Sequence, residues 1–164
     1  MWVVEQVLER TRASVLRVPG PRRGMRDLQE YVDDYVPQLS GPKADDAWHS
    51  LVEAGPAALP YVVKAFDAAR NLDVMISLVH VISEYRSAEA VPFFEALLRD
   101  RDAEIWKAAL DGLVMVGDKA ALDALDVARL NATAERLEWI DEAVGQIVKR
   151  SDQHGAAPDR PRGL

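Results

Sequence analysis

Three side chains able to bind a metal or move a proton recur at one constant interval: His49, His80 and Asp111. On stacked helices such a spacing makes a row, and a His-His-Asp set can ligate a divalent metal. Neighbouring helix axes lie about 8–10 Å apart, so a single ion would have to bridge them. The other reading, a polar row on an outer face, makes no such demand and is favoured. Asp123 and Asp126 lie one helical turn apart and have the residue type for acid–base work. That chemistry needs one carboxyl held protonated by burial or by a charged neighbour. The flanking residues supply neither, so a solvated pair is expected. The chain has no cysteine, which removes disulfides, thiolate metal sites and cysteine nucleophiles. No catalytic residue, cofactor or metal is expected.

The interval of the histidines belongs to the whole middle of the chain. Trp48, Val79 and Leu110 are apolar and repeat at the same spacing, as do Leu51, Ile82 and Leu113. Gly55, Arg86 and Gly117 follow in step, each ending a helical run. A fixed period of about this length predicts helical hairpins stacked into an elongated array. The three hairpins read as 44–54 with 57–69, 73–85 with 88–99, and 102–116 with 119–129. Thr133 marks the start of a last helix, 134–149, which places Leu137, Ile140, Ala143, Val144, Ile147 and Val148 on one side. Glu135, Glu138, Asp141 and Glu142 form its polar outer face, as a terminal cap requires.

Two helices precede the hairpins. In 3–17, Val4, Val7, Leu8, Thr11, Val15 and Val18 keep helical spacing until Pro19-Gly20-Pro21 breaks it. In 25–36, Leu28, Tyr31, Val32, Tyr35, Val36 and Leu39 make an apolar stripe opposite Glu30, Asp33 and Asp34. Tyr31 and Tyr35 are read as core residues whose hydroxyls reach its edge. The organisation is therefore an N-terminal pair (1–42), repeats (43–70, 71–100, 101–130 and a partial 131–150) and a tail (151–164). The tail has no large apolar residue before Leu164 and is expected to be disordered.

A length of 164 residues suffices for one domain with its own core. The apolar runs are short and broken by charge, so no membrane span is expected, and Glu5 and Glu9 disqualify the N-terminus as a secretory signal. The expected location is the cytoplasm. The net charge of −7 is uneven: residues 1–26 carry +4, residues 27–148 carry −13 and residues 149–164 carry +2. An acidic body repels phosphate backbones and anionic lipid and favours basic partners, although plain solubility explains such a surface equally well.

The run Asp102-Ala103-Glu104-Ile105-Trp106-Lys107-Ala108-Ala109-Leu110-Asp111-Gly112-Leu113, closing on Gly117-Asp118-Lys119-Ala120-Ala121-Leu122, resembles a HEAT repeat of the short bacterial type shared with bilin lyases. The second repeat follows it through Ala88-Glu89-Ala90-Val91-Pro92 but has Arg86 where that type has Gly; the first keeps Gly55 and replaces the Asp with Pro56. The resemblance covers residues 43–130, with 131–149 as a partial copy. It implies an all-α, right-handed HEAT-like α-solenoid that binds along its second helices. On those helices the period aligns Lys64, Glu95 and Asp126; Tyr61, Pro92 and Asp123; and Asp67, Leu98 and Arg129 as exposed rows. Val63, Phe94 and Leu125, with Phe66, Leu97 and Ala128, are the core rows. Trp106 stands at a position this repeat type leaves basic and exposed, so it is either an interface anchor or a partner for Trp139; packing on the last helix is favoured.

HEAT-built iron hydroxylases use His-Glu dipeptides, whereas His49 precedes Ser50 and His80 precedes Val81. HEAT-like DNA glycosylases need a basic groove, which an acidic body does not offer. The expected function is non-catalytic: a small adaptor or scaffold that binds another, basic protein, and neither nucleic acid nor membrane. Tyr61, Lys64, Glu95, Leu98, Trp106, Asp123 and Asp126 are the expected contact residues. The alternatives are an immunity protein or inhibitor that neutralises a toxin, and a bilin-lyase-like enzyme, for which no residue argues.

Overall fold

A helix start leaves four backbone N–H groups without partners, and a short polar side chain just ahead of it can accept from one or two. Asn71 Oδ1 accepts from the N–H of Asp73 at 2.8 Å and of Val74 at 3.3 Å. Asp102 accepts from Glu104 at 2.9 Å, and Thr133 from Arg136 at 3.4 Å. These three caps recur at the interval of the apolar rows, so the period sets the helix starts as well as the apolar positions. Asp27 and Asp118 cap two further helices in the same way.

The computed structural model describes residues 27–155, which contain helices and no strand. The helices are α1 (Leu28–Tyr35), α2 (Ala44–Glu53), α3 (Leu59–Ala68), α4 (Leu72–Glu84), α5 (Val91–Leu97), α6 (Ala103–Val116), α7 (Lys119–Arg129) and α8 (Ala134–Gly155). The expected helix 3–17 lies outside the described residues. Pro37 ends α1 as an α-helix, and the chain continues as a 3-10 turn over Val36–Ser40. Comparable turns over Pro56–Ala58 and Ala88–Ala90 lead into α3 and α5. α8 is longer than expected: residues 151–155, read as the start of the tail, are helical. Its extension is held by polar contacts, with Arg150 donating to the Val114 carbonyl at 2.9 Å and Ser151 to the Ile147 carbonyl at 3.1 Å.

α4 packs against α2 and α6, and α6 packs in turn against α8; α1 meets α3, and α5 meets α7. The members of the apolar rows meet inside this arrangement. Leu51, Ile82 and Leu113 are completely buried, and so, within a per cent, are Val63, Phe94 and Leu125. The hydroxyl of buried Tyr85 crosses from the end of α4 to donate to the Leu51 carbonyl in α2 at 2.8 Å. Burial first, and the neighbouring Tyr31 second, push its pKa far above the usual phenol value. No buried side-chain nitrogen or oxygen lacks a hydrogen bond among the described residues, and no helix there is long and apolar enough to cross a membrane.

Two backbone features set local tolerances. Positive φ occurs at Gly55 (73°), Arg86 (47°) and Gly117 (64°), the three hairpin turns of the repeat. Glycine takes that conformation freely, whereas Arg86 bears a Cβ penalty there. At Gly112, a methyl group would overlap the Phe94 ring, so the helices approach closely only because no side chain intervenes.

Arg86→Gly is expected to stabilise the fold by about 0.5–1 kcal/mol, once the extra chain entropy of glycine is subtracted from the relieved strain; a urea midpoint that falls would refute the strain account. Gly112→Ala is expected to cost about 1–3 kcal/mol through overpacking. In a Phe94→Leu background the same change should cost clearly less, which a double-mutant cycle of urea midpoints measures.

Candidate protein-binding faces

The second-helix side, where the repeat phase places the contact residues, is acidic in composition but largely neutralised. Glu95 of α5 meets Arg99 at 3.5 Å. Asp123 of α7 meets Lys119 at 2.7 Å. Asp126 meets Arg129 at 3.7 Å, and the same guanidinium holds Asp141 of α8 at 2.7 Å. Exposed pairs of this kind add little stability, yet each reduces the charge a basic partner would feel, with Arg129 shared between Asp126 and Asp141. The carboxylate of Asp123 accepts from the Lys119 ammonium and raises its pKa. Lys64 is exposed and Tyr61 half-buried on α3.

Two expected contact residues are not on a surface. Leu98 is buried at the end of α5, in the wall of a groove that it shares with Val127, Ala128 and Ile140. Trp106 is buried because α8 lays Trp139 edge-on against it, ring centroids 6.3 Å apart, and places the Arg136 guanidinium 5.0 Å from its ring. Arg136 also donates to the carbonyls of Leu98, at 2.7 Å, and Asp100, satisfying the frayed end of α5. Its charge is therefore tied to the backbone.

The opposite side, presented by α2, α4, α6 and α8, differs in kind. Asp46 and Glu53 on α2, Asp73 and Glu84 on α4, Glu104 and Asp111 on α6, and Glu138 and Glu142 on α8 are exposed, and none has an ion pair among the described residues. The sequence row of His49, His80 and Asp111 continues, one period further, to Glu142, and the structure brings His80 and Glu142 close enough to Asp111 to act on its carboxyl. Within the row, His49 approaches Asp45 of its own helix, at 3.9 Å. No three His, Asp or Glu side chains among the described residues converge tightly enough to hold a metal ion.

Between α6 and α8 this face opens into a cleft of about 190 Å³ lined by Leu110, Val114 and Ala143 with Lys107, Asp111, Trp139, Glu142 and Gln146. Trp139 is 42% exposed. The Lys107 ammonium lies 4.7 Å from the Trp139 ring centroid and 5.6 Å from that of Trp106, where the ring quadrupole attracts a cation. Burial raises the pKa of Asp111; His80 opposes the shift and Glu142 adds to it. The carboxyl nevertheless keeps an exposed edge, so the cleft is not a dry site.

The repeat phase points to the second helices, whereas most of the acid without counterions lies on the first; Asp67 of α3 is the exception, exposed and without an ion pair among the described residues. The sequence does not carry that distribution: basic residues stand one turn from Glu95, Asp123 and Asp126, but also from Asp46, Asp73, Glu104 and Asp111, and the fold decides which of them pair. Glu142 and Trp139 are not among the contact residues the repeat phase selects; extending the His49 row by one more period reaches Glu142.

No family model, curated protein or solved structure matches this chain.

Asp111 should titrate above the ordinary aspartate range in a carboxyl-carbon NMR titration. His80→Ala should move it further up, because the protonated imidazole that favours the carboxylate is lost, and Glu142→Gln should move it down. A raised acid pKa makes folding bind a proton, so this group's contribution falls as pH rises from its unfolded value through its folded one. Asp111→Asn should accordingly flatten that fall.

Proposed function

We propose that this chain is a HEAT-like α-solenoid that binds a basic partner protein without catalysis. The solenoid reading is supported by three features with the same period: the caps at Asn71, Asp102 and Thr133, the positive-φ turns at Gly55, Arg86 and Gly117, and the buried row of Leu51, Ile82 and Leu113. In such an array each unit leaves one strip to solvent, and the strips add into an extended surface.

The observation that carries the functional reading is the bare acid on α2, α4, α6 and α8. Like charges held near one another without counterions raise the local potential and attract a surface of opposite sign. The ion-paired side lacks that property, so the binding face moves from the second helices to the first.

The test begins with recovery of a partner from the native host at low ionic strength, followed by affinity measurements on the purified pair. Charge reversal at Glu84 and Glu138 should weaken binding at least about tenfold and reduce its salt dependence. Reversal at Glu95 and Asp126 should change it less than about threefold, since their charge is already compensated. Equal losses at the two pairs, or a partner bound as tightly at high salt, would overturn the assignment.

A further inference from the structure

We infer that the cleft between α6 and α8 is the anchor of the acidic face and takes an arginine side chain of the partner protein, stacked on Trp139 between Asp111 and Glu142. This rests on the protein-binding reading and adds a site and a preferred residue to it.

Three features meet there. The first is Trp139, the one exposed tryptophan among the described residues: Trp106 is buried and Trp48 half-buried. A large ring left open beside a cleft is the type of residue that dominates binding energy at protein interfaces. The second is the size and lining of the cleft. About 190 Å³ is below the roughly 300–1,000 Å³ of sites that enclose whole small molecules, but it accommodates a single side chain. Leu110, Val114 and Ala143 offer an apolar wall for a methylene stem, and Asp111 and Glu142 stand where the charged head would emerge. The Glu142 carboxylate accepts a long hydrogen bond from Gln146, at 3.4 Å.

The third feature is Lys107. It lies over both tryptophan rings yet forms no ion pair with Asp111 or Glu142. The protein thus places a cation of its own on the aromatic surface while the two carboxylates stay uncompensated. A guanidinium is planar, stacks on an aromatic face and offers a fork of donors to carboxylates, so it can use ring and acids together. An ammonium is a point charge and serves one or the other. Arginine is therefore favoured over lysine, and Lys107 acts as an internal competitor for the ring.

The experiment uses the full chain with a nonamer of arginine, an oligolysine of equal length, and N-acetylarginine amide, at low ionic strength. Affinity is read by calorimetry, and position by the tryptophan indole N–H resonances. Oligoarginine should bind more tightly than oligolysine, and all arginine probes should shift the Trp139 indole resonance. Trp139→Phe, which preserves packing on Trp106, should weaken oligoarginine about two- to fivefold. Asp111→Asn with Glu142→Gln should weaken it about tenfold. Lys107→Met should tighten binding more than Lys64→Met, although both remove one positive charge. Thermal melts accompany each variant, and Glu142→Gln alone serves should the double variant fail to fold. Oligoarginine binding that is indifferent to every cleft substitution would overturn the cleft while leaving the acidic face standing. Absence of binding by either oligocation would overturn both. Equal affinity for the two oligocations would overturn the arginine preference.

Discussion

The packing of α4 between α2 and α6 is the constraint on which the remainder of the structure depends. Val74, Leu78, Val79, Val81, Ile82 and Ser83 are all buried, and they span more than half of the circumference of α4. A helix buried over so wide an arc cannot rest on one neighbour; it needs cover on several sides. α2 and α6 supply it laterally and α3 supplies it from the other side. Only a narrow strip, carrying Asp73, His80 and Glu84, is left to water. Repeated burial of this kind leaves each first helix one polar strip, and in the proposed solenoid the common period would bring those strips side by side. The acidic face is thus the residue of a packing requirement, and its chemistry depends on what occupies positions that packing does not dictate.

The period made most of the fold legible. Apolar rows, breakers and caps share one interval, so helix identity and order could be read without knowing any contact. What escaped was set by interactions outside the period. The 3-10 entries to α3 and α5 arise because Pro60 and Pro92 follow closely and deny the first turn its usual hydrogen bonds. The extension of α8 through Ser151 could not be inferred from apolar spacing, because there is no apolar residue there to bury. It rests on the Arg150 contact to Val114, which needs α6 already in place.

The site was legible in sum and not in distribution. An excess of acid between residues 27 and 148 follows from composition; whether a given carboxylate is free depends on where the fold sends the neighbouring cation, as Lys107 shows by lying over the tryptophan rings and not on Glu104 or Asp111. On α5 and α7 the acids have such partners in sequence, and on α7 Arg129 also reaches across to Asp141. The tryptophans illustrate the same limit. Trp106 and Trp139 are both plausible surface residues by type, and only the way α8 lies across α6 decides that Trp106 is covered and Trp139 open.

On the proposed reading, the two kinds of group on the acidic face would serve different steps of recognition. Unpaired carboxylates spread over four helices act at a distance, so they govern encounter rate and its dependence on salt. They discriminate poorly, because any basic surface satisfies them. Discrimination requires contact in a confined, partly apolar place, where a wrong side chain loses stacking and leaves a carboxylate without its partner. The cleft at Trp139 is where the described surface combines an open ring, an apolar wall and free acids. The uncompensated acids also repel one another in the free protein, so a cationic partner relieves a cost that folding leaves unresolved. Binding to the folded form alone would then stabilise the fold by mass action, which would make the surface least favourable to the isolated chain the one best suited to holding a partner.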